Sequence, residues 1–161
     1  MSGPHLLIVW HSRTGSSEAL ARAASEGAGD DGIILGACDV EPEDLLEAAG
    51  YLFCCPENLA SMSGEMKEMF DRCYYPVLGK LNGRPYATII AAGSDGEGAQ
   101  KQLDRIATGW RLRRVADHWI LDTGAQTEKE ILAPKTIGET DLARAREMGE
   151  ALAQGIVDGI I

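Results

Sequence analysis

Short, continuously apolar runs, each followed by a stretch with helical spacing, are what most narrows the folds open to this chain. Residues 6–10 (Leu-Leu-Ile-Val-Trp) and 51–55 (Tyr-Leu-Phe-Cys-Cys) are apolar at every position, without the alternation of a half-exposed strand. Runs of this kind suit strands covered on both faces. After the first run, Leu20, Ala23 and Ala24 recur at helical steps in an alanine-rich stretch over 16–28, which breaks in the glycine-rich residues 27–32. The alternation continues with a second strand over 33–37, a short helix opened by Pro42 and running through 43–49, and the third strand at 51–55. Met66, Met69, Phe70 and Cys73 then mark an amphipathic helix ending near Tyr75 and Pro76. A turn over 81–85 leads to a fourth strand at 86–92, a helix from about 99 to 108 and a fifth strand over 115–122. Leu142, Ala145, Met148, Leu152 and Ile156 mark a final helix.

Five strands alternating with helices read as repeated βαβ units: an α/β protein with a parallel sheet covered by helices on both faces. With 161 residues, 45% of them hydrophobic, one continuous core is expected, and hence one domain over 1–161. The formal net charge of −10 opposes nucleic acid or an anionic membrane as partner and suits a redox partner with a basic face, or simple solubility. No apolar run approaches the ~20 residues of a membrane span, and residues 6–10 are entered without a basic n-region or cleavage site. A cytoplasmic protein without a membrane span is expected. Cys38, Cys54, Cys55 and Cys73 lack paired metal-ligand spacing and are read as buried thiols, and His5, His11 and His118 are scattered, so no metal site is expected.

Polar, glycine-containing loops end three of the strands: His11-Ser12-Arg13-Thr14-Gly15-Ser16-Ser17, Pro56 through Gly64, and Gly93-Ser94-Asp95-Gly96-Glu97-Gly98. In an open parallel sheet such loops share one crevice outside the carboxyl ends of the strands. The first combines hydroxyls, backbone donors and a helix start, which suits a phosphate, although Ser and Thr are equally at home there as caps. It has neither GxxxxGK[ST] nor GxGxxG, which disfavours a nucleoside triphosphate and a dinucleotide. The second, led by Pro56, can turn backbone groups toward the edge of a flat heterocycle, and the third permits close backbone approach. Together they suggest a bound mononucleotide; each alone is also an ordinary βα loop.

Residues 123–138 are longer than most loops and can form a short hairpin, a contact with another subunit, or a flap over the ligand. Arg105, Arg111, Arg113 and Arg114, around Trp110 and Trp119, form a basic cluster that could receive a nicotinamide dinucleotide phosphate or a partner's acidic patch and is read first as a solvated helix-to-strand connection. No Ser/His/Asp or Cys/His arrangement is visible, and no catalytic side chain is assigned.

Two of the loops carry a family resemblance. Ser12-Arg13-Thr14-Gly15-Ser16-Ser17 resembles the Ser-x-Thr-Gly-x-Thr phosphate loop of flavodoxins. Pro56 through Gly64, with Glu65-Met66-Lys67-Glu68-Met69-Phe70-Asp71-Arg72, resembles the second FMN loop and following helix of flavodoxin-like NAD(P)H-dependent FMN and quinone reductases. The resemblance covers residues 6–122 and implies a flavodoxin-like three-layer sandwich with strand order 2-1-3-4-5. It implies that Ser12, Arg13, Thr14, Gly15, Ser16 and Ser17 hold the FMN phosphate. The isoalloxazine is then expected between Pro56, Glu57, Asn58, Leu59, Ala60, Ser61 and Met62 on one side and Gly93, Ser94, Asp95, Gly96 and Gly98 on the other. Met66 and Met69, on the apolar helix face, are read as core.

The activity implied is hydride transfer from NAD(P)H through flavin N5 to a quinone-like or other small acceptor. The alternatives are a flavodoxin-type electron carrier to a protein partner, or a flavin-free binding domain that retains the fold. Two positions depart from the family pattern: Leu59 stands where relatives commonly place an aromatic residue, and Ser17 replaces the usual Thr. FMN is therefore expected to be weakly held or completed by a neighbouring subunit, and relatives of this type often form dimers or tetramers, so a homo-oligomer is among the expectations.

Overall fold

β1 (Leu6–Trp10) lies between β2 (Gly32–Gly36) and β3 (Gly50–Asn58), with Leu7 opposite Ile33 on one side and Tyr51 on the other, both pairings parallel. β3 continues in parallel to β5 (Pro85–Ala92), pairing Tyr51 with Tyr86. The outer edge of β5 receives β6 (Arg113–Arg114) and β7 (Trp119–Asp122), also parallel. The main sheet therefore has the expected flavodoxin-like order, with the last strand in two pieces, while β4 (Ser61–Met62) is a short antiparallel partner of β3. The computed structural model describes residues 3–161. Among the described residues no helix is long and apolar enough to cross a membrane.

Strand geometry sends successive side chains to opposite faces, and the unbroken apolar runs accordingly feed two cores. Leu7, Val9, Tyr51, Phe53 and Ile90 pack with Leu45 of α2 (Pro42–Glu47), Met66, Met69 and Phe70 of α3 (Gly64–Val77), and Leu103 of α4 (Glu97–Gly109). Leu6, Ile8, Leu52, Ala87 and Ile89 pack with Leu20 and Ala24 of α1 (Ser16–Ala28) and with Ala145, Leu152 and Ile156 of α6 (Glu139–Asp158). Cys54 and Cys55 follow the same rule, one in each core. Burial pushes the Cys55 thiol up to about 12 and the Cys54 thiol well above its ordinary range, which keeps both protonated and unreactive. Cys73 is buried as well, but Cys38, beside the edge strand, is exposed, contrary to the expectation.

The fifth strand also departs from expectation. Instead of running unbroken over 115–122, it begins at Arg113, leaves the ladder after Arg114 and rejoins at Trp119. Two residues of β5, Ala87 and Thr88, therefore face the four-residue excursion of residues 115–118. The excursion lets Arg114 reach Asp104, Thr88 Oγ1 (3.1 Å) and Ala116 O (3.0 Å), while His118 Nε2 meets Asp104 Oδ2 at 2.8 Å. Side-chain bonds thus replace ladder bonds. Arg105, Arg111 and Arg113 are solvated as read, whereas Arg114 belongs to this half-buried network. The two tryptophans beside this cluster are buried, Trp110 edge-on against Phe70 and Trp119 beneath the Arg144 guanidinium at 4.1 Å.

Helix α1 carries the first loop at its N-terminus, and α6 fixes its position. At their crossing a Cβ added to Gly27 would sit 1.9 Å from Arg146 O, and one added to Gly149 would sit 1.9 Å from Ala24 O. Glycine is needed at both points because each helix presses against the other's backbone. Gly149→Ala should lower the unfolding free energy by about 1–3 kcal/mol in urea denaturation, through overpacking. Helix propensity alone would make the same change stabilising by about 1 kcal/mol, so a Gly149→Ala variant as stable as the native protein would contradict the tight crossing.

Candidate functional site

Four connections meet at the carboxyl edge of the sheet: β1 to α1, β3 to α3, β5 to α4, and the segment after β7. They enclose a cleft of about 750 Å³, a size usual for small-molecule and cofactor sites.

The first wall is the start of α1. Gly15, at φ 106°, occupies the N-cap position, and no side chain caps the helix. The only hydroxyl bond within this loop holds Gly15 N to Ser12 Oγ at 3.1 Å. Ser16 and Ser17, the first residues of the helix, are 5% and 1% exposed, and neither Oγ has a hydrogen-bond partner. Buried hydroxyls are seldom left unpaired, since each costs about 1–3 kcal/mol. A capping role does not explain them. An oxyanion in front of the helix would satisfy both, together with the free N–H groups of the first turn.

The second wall is a hairpin rather than a loop. β3 continues past residue 55, pairing Pro56 with Ala91, and then folds back through Asn58 opposite Ser61. Leu59 and Ala60 form the two-residue tip at φ 53° and 64°. Two-residue tips of this kind normally use Asn-Gly, and each substituted left-handed residue costs about 1–2 kcal/mol. Leu59 is fully exposed at that tip, and its aliphatic side chain offers no ring to the cleft.

What holds the strained tip is its docking on α4. Glu57 Oε1 accepts from Gly96 N at 3.0 Å and Glu57 Oε2 from Ala99 N at 3.1 Å, capping a helix that has no side-chain cap of its own. Gly98 permits the contact, since a Cβ there would lie 2.2 Å from Ala60 O. Gly96, at φ 88°, packs against Ile120. The expected lining residues thus divide into two groups. Ser12, Arg13, Thr14, Ser16, Ser17, Pro56, Glu57, Asn58, Leu59, Ala60, Gly93 and Ser94 line the cleft. Gly15, Ser61, Met62, Asp95, Gly96 and Gly98 do not; they shape the walls. Met62 in particular is buried with Met66 and Met69 in the core, its N–H bonded to Gln102 Oε1 at 2.7 Å.

A clamp behind the cleft ties the first two walls together. Glu65 accepts from Arg13 at 2.7 Å and from His11 Nε2 at 2.8 Å, while His11 Nδ1 meets Ser63 Oγ at 2.8 Å. Burial lowers the His11 pKa, although Glu65 opposes the shift, so the ring is neutral at pH 7. A carboxylate only accepts, so Nε2 carries the proton and Nδ1 accepts from the Ser63 hydroxyl. Asn58, with its amide oriented to satisfy both ends, accepts from Arg13 Nε at 3.2 Å.

Residues 123–138 lie as a flap along the fourth side of the cleft. Thr123 N bonds Ala92 O at 2.7 Å, Gln126 Nε2 bonds Gly93 O at 3.1 Å, and Lys135 N bonds Thr14 O at 2.7 Å. Between these ties, α5 (Glu128–Leu132) is closed by a capping box of Thr127 and Glu130. Thr123, Ala125, Gln126, Ile131, Leu132 and Lys135 all face the cleft, as do Ala91 and Ala92 of β5. Sequence reading misses these; the Thr127-x-x-Glu130 pattern is the available signal for the helix.

Glu57→Ala should lower stability by about 1–2 kcal/mol and speed amide hydrogen exchange at Gly96 and Ala99, with Glu57→Gln intermediate. Unchanged exchange at both amides would show that the carboxylate does not hold the hairpin to α4.

A family model described as NADPH-dependent FMN reductase matches residues 42–126. The chain is 25% identical to a flavodoxin of Aquifex aeolicus over 170 positions, covering 96% of this chain and 89% of that protein. Among solved structures it resembles an archaeal flavodoxin (TM-score 0.74, 16% identity, covering 94% of this chain and 98% of that one). It also resembles a flavodoxin, WrbA-like protein from Agrobacterium tumefaciens (TM-score 0.68, 20% identity, 94% and 96% covered). At these identities the structures speak for the fold. The family match spans more than half of the chain and takes in both the hairpin and the β5–α4 connection, and on that ground the chain belongs to the NADPH-dependent FMN reductase family, on a flavodoxin-like fold.

Proposed function

We propose that the cleft binds FMN and that the protein is an NAD(P)H-dependent oxidoreductase acting on a quinone-like or other small acceptor. The observation that carries the FMN assignment is the pair of buried, unpartnered hydroxyls of Ser16 and Ser17 at an uncapped helix start. These residues, with Ser12, Thr14 and the backbone N–H groups of Ser16 and Ser17, fit a phosphate. Charge-assisted bonds of about 1.5–3 kcal/mol each would hold it even in an acidic protein. The hairpin residues 56–60 and Gly93 and Ser94 are then assigned to the ring system, and Ile131 and Leu132 of the flap to excluding water from it. Bound there, the flavin would supply the hydride chemistry that no side chain of the cleft provides. The protein's part is to bind, orient and shield. The fully exposed Leu59 leaves ring stacking weak, so phosphate anchoring carries most of the affinity.

A second reading, an electron carrier to a redox protein, is favoured by the 25% identity to a flavodoxin along nearly the whole chain and by the net charge of −10. Steady oxidation of NAD(P)H in the presence of a quinone by catalytic amounts of the FMN-loaded protein supports the reductase. Reduction only through a protein donor supports the carrier.

The FMN assignment makes two effects of one change run in opposite directions. Replacing Ser16 and Ser17 by Ala removes unsatisfied buried hydroxyls, so the flavin-free protein should gain about 1–3 kcal/mol of stability for each hydroxyl removed. The same change should weaken FMN binding, measured by quenching of flavin fluorescence, by about tenfold or more. Lost stability with unchanged FMN affinity would contradict the assignment.

A further inference from the structure

The flap brings a cation to the first loop. Lys135 N donates to Thr14 O at 2.7 Å, and Lys135 O lies 3.5 Å from where a Cβ on Gly15 would stand, so the two backbones are in contact on both sides of this residue. The Lys135 ammonium donates to the carbonyls of Ile131 at 3.0 Å and Ala133 at 2.6 Å and approaches Thr14 Oγ1 at 3.4 Å. All three partners are uncharged. The other charges of the cleft are engaged elsewhere: Arg13 is paired with Glu65, and the Glu57 carboxylate is turned to the α4 N–H groups. Among the described residues, a positive charge without a charged partner therefore stands beside the uncapped start of α1 and its two orphaned hydroxyls, in a chain whose net charge is −10.

We propose that Lys135 is the counter-charge for a phosphomonoester held at the α1 N-terminus, and that the flap, through this residue, sets the preference for FMN over riboflavin. This rests on the FMN reading above. The longest of the three ammonium contacts, to Thr14, is the one that points to the loop, and a phosphate oxygen in front of the loop is the stronger acceptor. The Ile131 and Ala133 carbonyls aim the ammonium without neutralising it. Lys135 lies beyond the segment the family model covers and 121 residues from Thr14, so the phosphate loop motif alone does not reveal it. Lys135 acts here as a binding and specificity residue.

The competing role is purely structural, with Lys135 closing the C-terminal end of α5. Comparison of two flavins separates the two roles, because riboflavin lacks the phosphate and shares the ring. The full-length protein, freed of flavin, is titrated with FMN and with riboflavin by fluorescence quenching, as native protein, Lys135→Met and Lys135→Arg. The native protein should favour FMN. Lys135→Met should weaken FMN about tenfold to a hundredfold and leave riboflavin unchanged, and Lys135→Arg should restore most of the difference. Equal weakening of both flavins, or FMN affinity unchanged in Lys135→Met, would overturn the proposal while leaving the FMN reading intact. If the native protein binds neither flavin, the FMN reading itself fails, and the role of Lys135 fails with it.

Discussion

A helix that starts without a cap leaves its first N–H groups aimed at whatever stands before it, and α1 starts in this way between two serine hydroxyls that the fold buries and does not satisfy. Contacts on two sides hold that start in place. Behind it, the glycine contacts of Gly27 and Gly149 press α1 onto α6, and Leu20 and Ala24 seat it on the even-numbered face of β1. In front, Lys135 binds the loop through backbone and side chain alike. Stability given up at the serine pair is the usual mark of a site shaped for a ligand rather than for folding alone.

The opposite wall is fixed by a different device. Leu59 and Ala60 sit in a backbone conformation that neither residue favours, and such strain persists only when the surroundings over-determine it. Here Glu57 supplies that support by serving as the missing cap of α4, so one carboxylate both orders the hairpin and joins the second loop to the third. Glu65 does the same between the first loop and α3, with His11 kept neutral beneath it. The three walls are therefore cross-linked through side chains, and the cleft has a defined shape without help from a ligand.

Much of this is legible in the chain. Uninterrupted apolar runs at Leu6 and Tyr51 indicate strands buried on both faces, and helical spacing between them leads to a doubly wound sheet. Ser, Thr and Gly at the first strand-to-helix junction suit a phosphate or a helix cap alike, and only the burial of Ser16 and Ser17 without partners sets the two apart. What escapes reading depends on partners remote in sequence. Pro56 looks like the end of a strand, but Ala91 of β5 extends the pairing through it. Gly96 and Gly98 look suited to a ligand, yet they admit Ile120 and Ala60. The break after Arg114 exists because Asp104, on α4, draws both Arg114 and His118. Lys135 carries no local signal, since its meaning comes from Thr14.

In the proposed function the four connections form one site, with the phosphate at the start of α1. Backbone amide NMR spectra of the flavin-free protein, recorded as FMN is added, test it most directly. Saturable shifts should fall on residues 12–17, on 57–60, on Gly93 and Ser94, and on the flap from Thr123 to Lys135, with the largest at Ser16 and Ser17. Shifts confined to another surface, such as the groove between Val115 and Met148, or no shifts at any FMN concentration, would contradict it.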